Sequence, residues 1–554
     1  MEEFSSRNEI IDNYFKDYTS RIVSETGIPS DKYHIGKIVL QSLRDDPEFV
    51  MQIDGATGES ETNGSILRRS IKCATAFKNL GLKTGDVIVI MAPNHLDQAV
   101  PFYAAMFLGI ATAAIDRTLG VYELKHTLNI SKPKMVFCQS EKVQDVQKAV
   151  ELLGIDSKVI SFDSSADTIT LSELMEKHGE AVAVEDFRAA DFDPEETIAY
   201  LISTSGTTGL PKAASITHKN LTTSGIYMWA YATKFPPTRS ALLVAPLQWQ
   251  SSLLSYIMSP YYKYTRIQTS NELTSNHTLD LIERYRPTFV VISPTMMTTL
   301  VKAAKKENRD LSSFEVIYLG GSAVSVNLVE ELRSMVSPNA TVGDVYGMSE
   351  LGSLAFVSLG SPIGSCGRPL AHLQYKLVDI DSGEEIKEPF KRGELWLKAP
   401  GGIKGYYNNP QATAEAITKD NWFKSGDMMY RDERWNFYFV ERIKLLLKYR
   451  NHQISPVELE GVILKHPGVQ DVAVTSIPDE ECGDLPVACV IPRPGVPVTA
   501  QEIKDLVKEK LTDTKQLRGG VIFLNELPLT SSTKLHRRKL KEIAIAKLKE
   551  QGAA

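Results

Sequence analysis

The segment STSGTTGLPK, residues 203–212, follows the apolar, β-branched run TIAYLI of residues 197–202. Such a run predicts a buried strand, and the glycine- and hydroxyl-rich segment after it predicts a flexible loop. Glycines let the backbone approach an anion, while serine, threonine and lysine side chains supply hydrogen-bond donors and a positive charge. The segment therefore predicts a strand-end loop that binds the phosphates of a nucleotide.

This loop is more specific than an ordinary surface turn, although turns use the same residue types. It differs from the common P-loop, which has four residues between its glycines and a Ser or Thr directly after its lysine. Here two threonines separate the glycines, and Ala213 follows Lys212. The predicted phosphate contacts are Ser203, Thr204, Ser205, Gly206, Thr207, Thr208, Gly209 and Lys212.

Composition limits the class of protein and of partner. With 554 residues, of which 43% are hydrophobic and 23% charged, the chain is long enough for two or more globular domains. A formal net charge of −6 gives no broad basic face, so we expect no nucleic-acid partner. Five cysteines without CxxC spacing argue against a disulfide framework and a zinc site. We expect a monomer that acts on a small molecule.

No segment predicts a membrane span or a secretory signal. The longest apolar stretch, residues 100–115, is shorter than the roughly 20 residues of a spanning helix. We interpret it as a buried helix that continues into a strand. Residues 1–18 are polar and acidic, unlike a secretory signal, and the C-terminus lacks the peroxisomal Ser-Lys-Leu. The expected location is the cytoplasm.

Helical patterns alternate with short apolar runs from about residue 70, which is typical of an α/β fold. After Leu370, turn and strand signals predict a smaller β-rich subdomain. From residue 445, short strands interleave with helices that begin near Pro456, Ala500 and His536. Predicted strands include residues 87–91, 241–245, 289–292, 316–319, 393–397, 469–477, 486–491 and 521–524.

These patterns predict two domains. Residues 1–441 form a large N-terminal α/β domain with the β-rich subdomain, and residues 442–554 form a small, mobile C-terminal α+β domain. No long linker separates them, so we expect a short hinge near Glu441 and a ligand site at the domain interface.

Further segments are typical of a nucleotide site: Gly320-Gly321-Ser322, Tyr346-Gly347-Met348-Ser349-Glu350, Ser425-Gly426-Asp427, and Arg442 leading to Lys448-Tyr449-Arg450. Together with the loop they resemble the adenylate-forming superfamily, which includes acyl-CoA synthetases, peptide-synthetase adenylation domains and insect luciferases. The resemblance covers essentially the whole chain. It is closest to insect luciferases and to acyl-CoA synthetases such as 4-coumarate:CoA ligases, through GYYNNPQAT (405–413), IKLLLKYRNHQISPVELE (443–460) and KQLRGGVIF (515–523).

The resemblance implies that a carboxylate attacks the α-phosphate of ATP, which gives an acyl-adenylate and pyrophosphate. Glu350 and Ser349 would hold Mg²⁺, and the 203–212 loop would hold the β- and γ-phosphates. The ribose hydroxyls would bind Asp427, assisted by Arg442. Tyr346 would cover the adenine beside the Gly320-Gly321 backbone, and Gly347 and Ser322 would also contact the nucleotide.

The same resemblance assigns the catalytic lysines and the second step. Lys534 would bridge the substrate carboxylate and the α-phosphate. Rotation of the small domain would then bring the segment from Lys448 to Gln453 to the active site for thioester formation with CoA. The acid, apolar, fatty or aromatic, would contact Ser224, Trp249, Ser251 and Ser353. A peroxisomal location is implied only by the family.

The chain departs from the family at positions that leave the reaction open. Gln248 and Trp249 stand where the family often has histidines, and Ser224 where beetle luciferases have an arginine beside their luciferin. Asn451 and Thr533 replace family glycines. One alternative is therefore a luciferase that oxidises its acyl-adenylate with O₂. The other is a catalytically weakened protein that binds ATP or an acyl ligand.

Overall fold

The structure is a computed structural model of the chain. It describes residues 20, 23–24, 27, 33–204, 212–223, 239–322, 324–370, 373–399, 404–449, 452–479, 482–529 and 535–550, with the backbone alone at residues 448, 452 and 453. The chain divides into two compact units: residues 1–374 with 397–423 (unit 1), and residues 375–396 with 424–554 (unit 2). This grouping does not locate a hinge, so the predicted boundary at residue 441 stays a prediction.

Unit 1 is built from alternating helices and strands. Its described helices are α1 Ile35–Asp45, α2 Asn63–Asn79, α3 Ala99–Leu108, α4 Val121–Ser131, α5 Val143–Leu153, α6 Leu171–His178, α7 Gln250–Tyr262, α8 Ser275–Tyr285, α9 Pro294–Glu307, α10 Val326–Arg333 and α11 Pro410–Ala416. Its described strands are β1 Val50–Asp54, β2 Ser60–Thr62, β3 Val87–Met91, β4 Ala111–Ala114, β5 Met135–Cys138, β6 Lys158–Ser161, β7 Ile198–Thr204, β8 Lys212–Thr217, β9 Ser240–Leu242, β10 Thr265–Gln268, β11 Phe289–Ile292, β12 Val316–Gly320, β13 Thr341–Met348, β14 Ser353–Val357 and β15 Arg368–Pro369.

One sheet of unit 1 has the described order β6-β5-β3-β4-β7-β8. Its strands are parallel except β8, which runs antiparallel to β7. Alternate residues of β3 belong to different buried clusters: Val87, Val89 and Met91 to one, Ile88 and Ile90 to the other. A parallel strand that is covered on both faces has a continuous apolar sequence. This is why residues 87–91 were predicted with the observed bounds. The stretch 100–115 contains α3 and β4, as predicted.

The second sheet has the described order β15-β14-β13-β12-β11-β9-β10-β1-β2, parallel from β13 to β1 and antiparallel towards both edges. The predicted strand 241–245 is too long, because β9 ends at Leu242. The carbonyl of Ala245 accepts a hydrogen bond from Asn94 Nδ2 at 2.9 Å, and that of Leu247 accepts one from Tyr200 Oη at 2.7 Å. Side chains therefore replace a neighbouring strand as hydrogen-bond partners here.

Unit 2 contains the β-rich subdomain and the C-terminal α+β fold. Its described helices are α12 Pro456–Ile463, α13 Ala500–Lys510 and α14 Arg537–Glu550. Its described strands are β16 Gln374–Val378, β17 Glu385–Ile386, β18 Gly393–Lys398, β19 Phe423–Arg431, β20 Phe437–Arg442, β21 Leu447–Tyr449, β22 His452–Ile454, β23 Val469–Asp479, β24 Gly483–Pro492 and β25 Gly520–Phe523, with Gln374, Leu397, Lys398 and Phe423 assigned to unit 1. They form the sheets β17-β16-β18-β19-β20 and β22-β21-β24-β23, with β25 pairing with β24.

Helix caps explain why the C-terminal helices begin where the sequence predicted. Ser455 accepts a hydrogen bond from the Glu458 backbone N–H, and Thr499 from that of Glu502. A side-chain oxygen at this position satisfies a backbone N–H that has no partner within the helix. The helices and sheets of the two units confirm the predicted fold class, α/β followed by α+β.

No described helix combines the length and apolarity that crossing a bilayer requires. All five cysteines are free thiols. In the part of the chain that the structure describes, no three His, Cys, Asp or Glu side chains cluster in a way that could hold a metal ion.

Candidate functional site

The predicted phosphate loop connects two paired strands. Thr204, at the end of β7, and Lys212, at the start of β8, are antiparallel partners, and the Thr204 hydroxyl donates to the Lys212 carbonyl at 3.4 Å. Ser203 pairs with Ala213 in the same ladder. Ser203, Thr204 and Lys212 therefore lie in strands, and not in the loop as predicted, because cross-strand pairing continues to the loop ends. Ser205, Gly206, Thr207, Thr208 and Gly209 lie outside the described residues, and their role stays a prediction.

Lys212, Tyr406 and Glu350 form a contact series beside the loop ends. Lys212 Nζ lies 5.2 Å from the centre of the Tyr406 ring, over its face. The Tyr406 hydroxyl donates to Glu350 Oε1 at 2.9 Å. A cation, a phenol and a carboxylate, each partly exposed, are thus brought together from three separate parts of the chain.

The backbone around Tyr406 runs along β8. The Ser215 N–H donates to the Gly405 carbonyl at 2.9 Å, and the Tyr407 N–H donates to the Ala213 carbonyl at 2.8 Å. Gly405 has φ +112°, and a Cβ there would lie 2.3 Å from Thr413 Cγ2. Only glycine therefore fits at this position. The motif GYYNNPQAT carries part of the family resemblance, but it did not predict the contacts of its first tyrosine, Tyr406.

Glu350 lies in the 3₁₀ turn Ser349–Leu351 that follows β13. The turn ends at Gly352, φ +62°, where a Cβ would lie 3.2 Å from Ile216 of β8. One Glu350 oxygen accepts the Tyr406 hydrogen bond. The second carboxylate oxygen and the Ser349 hydroxyl are hard oxygen ligands on a partly exposed turn, so these residues fit the predicted Mg²⁺.

The predicted adenine-binding residues lie at the carboxyl ends of two adjacent parallel strands. Gly320 of β12 pairs with Val345 of β13, and a Cβ on Gly320 would lie 2.8 Å from Val345 Cγ2. The next residue, Gly321, has φ +92° and is exposed, as is Ser322. The carboxyl ends of parallel strands are the usual place for ligands in α/β sheets.

Tyr346 and Gly347 lie on the neighbouring strand end. The partly exposed Tyr346 ring stacks on Phe356 with centroids 5.5 Å apart. Gly347 is exposed, and a Cβ there would lie 2.9 Å from the Ser353 carbonyl oxygen. Ser353, predicted as a substrate contact, is fully buried in β14, and its hydroxyl donates to the Leu354 carbonyl at 3.0 Å.

Asp344 is a residue that sequence analysis missed. It precedes Tyr346 by two positions in β13, so both side chains point to the same side of the sheet. Burial raises the pKa of the Asp344 carboxyl from 3.8 to about 7. A carboxylate two positions before a motif tyrosine in a predicted strand was the available signal.

The predicted acid-binding residues Trp249 and Ser251 flank the start of α7. Trp249 is the N-cap residue of α7. The Trp249 backbone N–H donates a hydrogen bond to the Pro246 carbonyl at 3.0 Å, which closes a turn. Both side chains are partly exposed. Ser224 lies outside the described residues.

In unit 2, Asp427 and Arg442 are antiparallel partners on β19 and β20. Arg442 Nε lies 3.0 Å from Asp427 Oδ1; the carboxylate is 2% exposed and the arginine side chain 53% exposed. The pair therefore presents a fixed carboxylate beside a cation. Lys448 and Gln453 are backbone partners across β21 and β22. Lys534, Asn451 and Thr533 lie outside the described residues.

A second acidic group in unit 2 was not predicted. Arg537 Nη2 lies 3.8 Å from Glu441 Oε2, and Arg537 Nη1 lies 3.9 Å from Glu460 Oε1. Burial raises the pKa of Glu460 from 4.5 to about 7 and raises the pKa of Glu441, while Arg537 opposes both shifts. Two carboxyls thus share one guanidinium.

A cavity of about 470 Å³ lies elsewhere in unit 1. Its lining includes residues at or beside the amino ends of parallel strands, among them Arg239, Thr288, Glu315 and Ala340. The motif residues Gly320 and Tyr346 lie at or near the opposite, carboxyl ends. The cavity is therefore separate from the candidate site.

Comparison with known proteins identifies relatives along nearly the whole chain. Residues 41–407 match the sequence model of the AMP-binding enzymes, and residues 458–534 that of the AMP-binding enzyme C-terminal domain. The chain is 31% identical to luciferin 4-monooxygenase of Photuris pensylvanica over 498 residues, covering 88% of this chain and 90% of the relative. It is 30% identical to 4-coumarate–CoA ligase-like 9 of Arabidopsis thaliana over 502 residues, covering 89% and 86%.

A solved structure of an adenylate-forming enzyme supports the same relationship. The o-succinylbenzoate CoA synthetase of Bacillus subtilis, in complex with its acyl-adenylate intermediate, superposes with a TM-score of 0.76 at 26% identity, covering 91% of this chain and 97% of that one. The resemblance to adenylate-forming proteins that the motifs indicated is thereby confirmed.

Proposed function

The chain belongs to the AMP-binding enzyme family of adenylate-forming enzymes, and from that premise we propose that it joins an apolar or aromatic carboxylic acid to CoA. In the first step a carboxylate oxygen attacks the α-phosphorus of ATP. The new oxygen–phosphorus bond makes a mixed anhydride, the acyl-adenylate, and the bond from the α-phosphorus to the bridging oxygen breaks, so that pyrophosphate leaves. In the second step the CoA thiol loses its proton and its sulfur attacks the acyl carbon; the bond from that carbon to the phosphate oxygen breaks, and AMP leaves.

The contact series Lys212–Tyr406–Glu350 carries this proposal. Two anions, the carboxylate and ATP, must approach each other, so neutralisation of charge dominates the barrier. Lys212 stands at the end of the phosphate loop, where its ammonium can stabilise the leaving pyrophosphate. The hydrogen bond from Tyr406 fixes one oxygen of Glu350 and leaves the other for Mg²⁺, which would neutralise phosphate charge when bound.

Two further groups, each within its own unit, could bind parts of a nucleotide. The Gly320–Ser322 turn and Tyr346, at neighbouring strand ends of unit 1, offer a backbone edge and an aromatic ring to adenine. In unit 2, the Asp427 carboxylate can accept hydrogen bonds from both ribose hydroxyls, and Arg442 keeps that carboxylate in place.

Lys534 would supply the cation between the attacking carboxylate and the α-phosphate. Trp249 has one neutral N–H donor and cannot carry the imidazolium charge that a family histidine offers. The charge at the reacting centre therefore falls to Lys534, whose place in the C-terminal motif motivates this role.

A second candidate reaction is oxidation of the acyl-adenylate by O₂, which the luciferin 4-monooxygenase relatives favour. Acid-dependent exchange of labelled pyrophosphate into ATP across a panel of fatty and aromatic acids tests the shared first step. With an active acid, formation of a CoA thioester would support the ligase, and light emission without thioester would support oxidation instead. ATP binding without exchange for any acid would contradict both and favour a binding protein.

A further inference from the structure

Two large aromatic side chains of unit 2 are exposed at turns. Phe390, between β17 and β18, is 60% exposed, and Trp435, between β19 and β20, is 47% exposed. Both have φ +64°, in the left-handed region that bulky residues disfavour. Turns at such positions normally use glycine or asparagine. Trp435 packs edge-on against Tyr375, with ring centroids 6.1 Å apart, but almost half of it stays exposed, and Phe390 is more exposed still. Packing within unit 2 therefore leaves much of both rings accessible.

The two turns are joined through Arg431. The Phe390 N–H donates to the Arg431 carbonyl at 2.8 Å. The Arg431 guanidinium stacks on Trp435, with Cζ 3.8 Å from the ring centre, and donates to the Lys387 carbonyl. We call residues 387–392 and 431–435 the aromatic tip. These contacts join the turn of Phe390 to the turn of Trp435.

The aromatic tip is basic in an acidic chain. It contains five basic and three acidic residues, whereas the whole chain has a formal net charge of −6. Asp432 faces its own turn, because Oδ1 accepts hydrogen bonds from the Arg434 and Asn436 backbone N–H groups. Glu388 Oε1 lies 3.0 Å from Lys391 Nζ, Arg392 lies 3.7 Å from Glu458 outside the tip, and Glu433 is exposed. The basic excess of the tip therefore rests mainly on the exposed Lys387 and Arg434. The basic side chains are Lys387, Lys391, Arg392, Arg431 and Arg434.

We propose that the aromatic tip binds the surface of an anionic lipid bilayer, with Phe390 and Trp435 inserted at the level of the headgroups. Two partly exposed rings provide much less area than the roughly 1,200 Å² that a stable protein interface buries. A bilayer surface accepts single aromatic rings, and lysine and arginine beside them attract anionic headgroups. This inference does not depend on which acid the protein activates.

Flotation of the full-length protein with vesicles tests the proposal, using phosphatidylcholine alone and phosphatidylcholine with 30% phosphatidylserine. Wild-type protein should bind the anionic vesicles at least about tenfold more tightly than the neutral ones. The double variant Phe390→Gly and Trp435→Gly should lose that binding. Its unfolding midpoint should stay within about 4 °C of wild type, because glycine relieves the left-handed conformation and offsets the lost ring contacts.

Two further variants test whether binding depends on the charge of the tip and on rings in the tip specifically. Arg434→Glu, at an exposed position of the tip, should weaken binding to anionic vesicles only. Tyr122→Ala removes an exposed aromatic ring of unit 1 outside the tip and should leave binding unchanged. Failure of wild-type protein to bind anionic vesicles would overturn the proposal. So would equal binding by the double variant, or a wild-type dimer that the double variant dissociates, since the rings would then cover a second copy of the chain.

Discussion

Glu350 in unit 1 and Glu460 in unit 2 are both glutamates close to motif residues, but their surroundings differ. Glu350 is partly exposed and accepts a hydrogen bond from the neutral Tyr406 phenol. Glu460 is 15% exposed, has Arg537 at 3.9 Å, and its pKa is raised to about 7 by burial. The difference separates a carboxylate held by a phenol beside the loop ends, which suits a ligand, from a carboxyl held near a guanidinium within unit 2, which suits holding elements together.

Glu350→Gln should have the largest effect and tests the first half of this comparison. Glutamine keeps an oxygen that accepts from Tyr406 but loses the negative charge, so acid-dependent pyrophosphate exchange should fall about 100- to 1,000-fold. The measurement is exchange rate against Mg²⁺ concentration. Glu460→Gln should retain most of the exchange activity. If both variants lost activity equally, the two carboxyls would not have the separate roles assigned here.

Glu460→Gln should instead change the pH dependence of stability. The folded protein binds the Glu460 proton more tightly than the unfolded chain, so the stability it contributes is fully present below pH 4.5 and is lost as the pH rises through about 7. Glutamine does not ionise. At pH 8 the free energy of unfolding of the variant should therefore exceed that of wild type by about 1–3 kcal/mol.

Urea unfolding at pH 5 and pH 8 measures this difference. Glu526→Gln, at an exposed glutamate of unit 2, is the matched control and should leave the two values as in wild type. If the pH dependence of stability were unchanged in Glu460→Gln, another group would be its source. Asp344, whose pKa is also raised to about 7, would be the next candidate.

Tyr406→Phe should have the smallest effect. It removes the hydrogen bond to Glu350 but keeps the ring beneath Lys212, so exchange should fall about tenfold, near the lower end of what one hydrogen bond to a charged group contributes. Steady-state exchange kinetics check this value. The adjacent Tyr407→Phe is the control and should behave as wild type. A loss as large as that of Glu350→Gln would give the phenol a role beyond orienting the carboxylate.

The sequence predicted local structure well where burial leaves a clear pattern. Residues 87–91 were predicted with their observed bounds, and the helix starts at Pro456 and Ala500 carry N-cap signals. The extent of the phosphate loop was overestimated, because whether Thr204 is in a strand depends on its partner Lys212 beyond the loop. Composition at the loop ends does not contain that information.

The motif residues of the site came from the family resemblance, whereas their contacts depend on tertiary structure. Tyr406 meets Glu350 across 56 positions of sequence. The raised pKa of Asp344 follows from burial, and the shared position of Glu441 and Glu460 at Arg537 follows from packing within unit 2. None of these can be read from spacing alone.

The strand β8 has one more consequence. It carries Lys212 at its first residue, pairs with the segment of Tyr406, and supports through Ile216 the turn of Glu350. Because neighbouring residues of a strand point to opposite faces and lie about 3.3 Å apart, a shift of one residue would turn the lysine away from the ring. The pairing of β8 with residues 405–407 therefore sets the distance between the positive charge of Lys212 and the negative charge of Glu350.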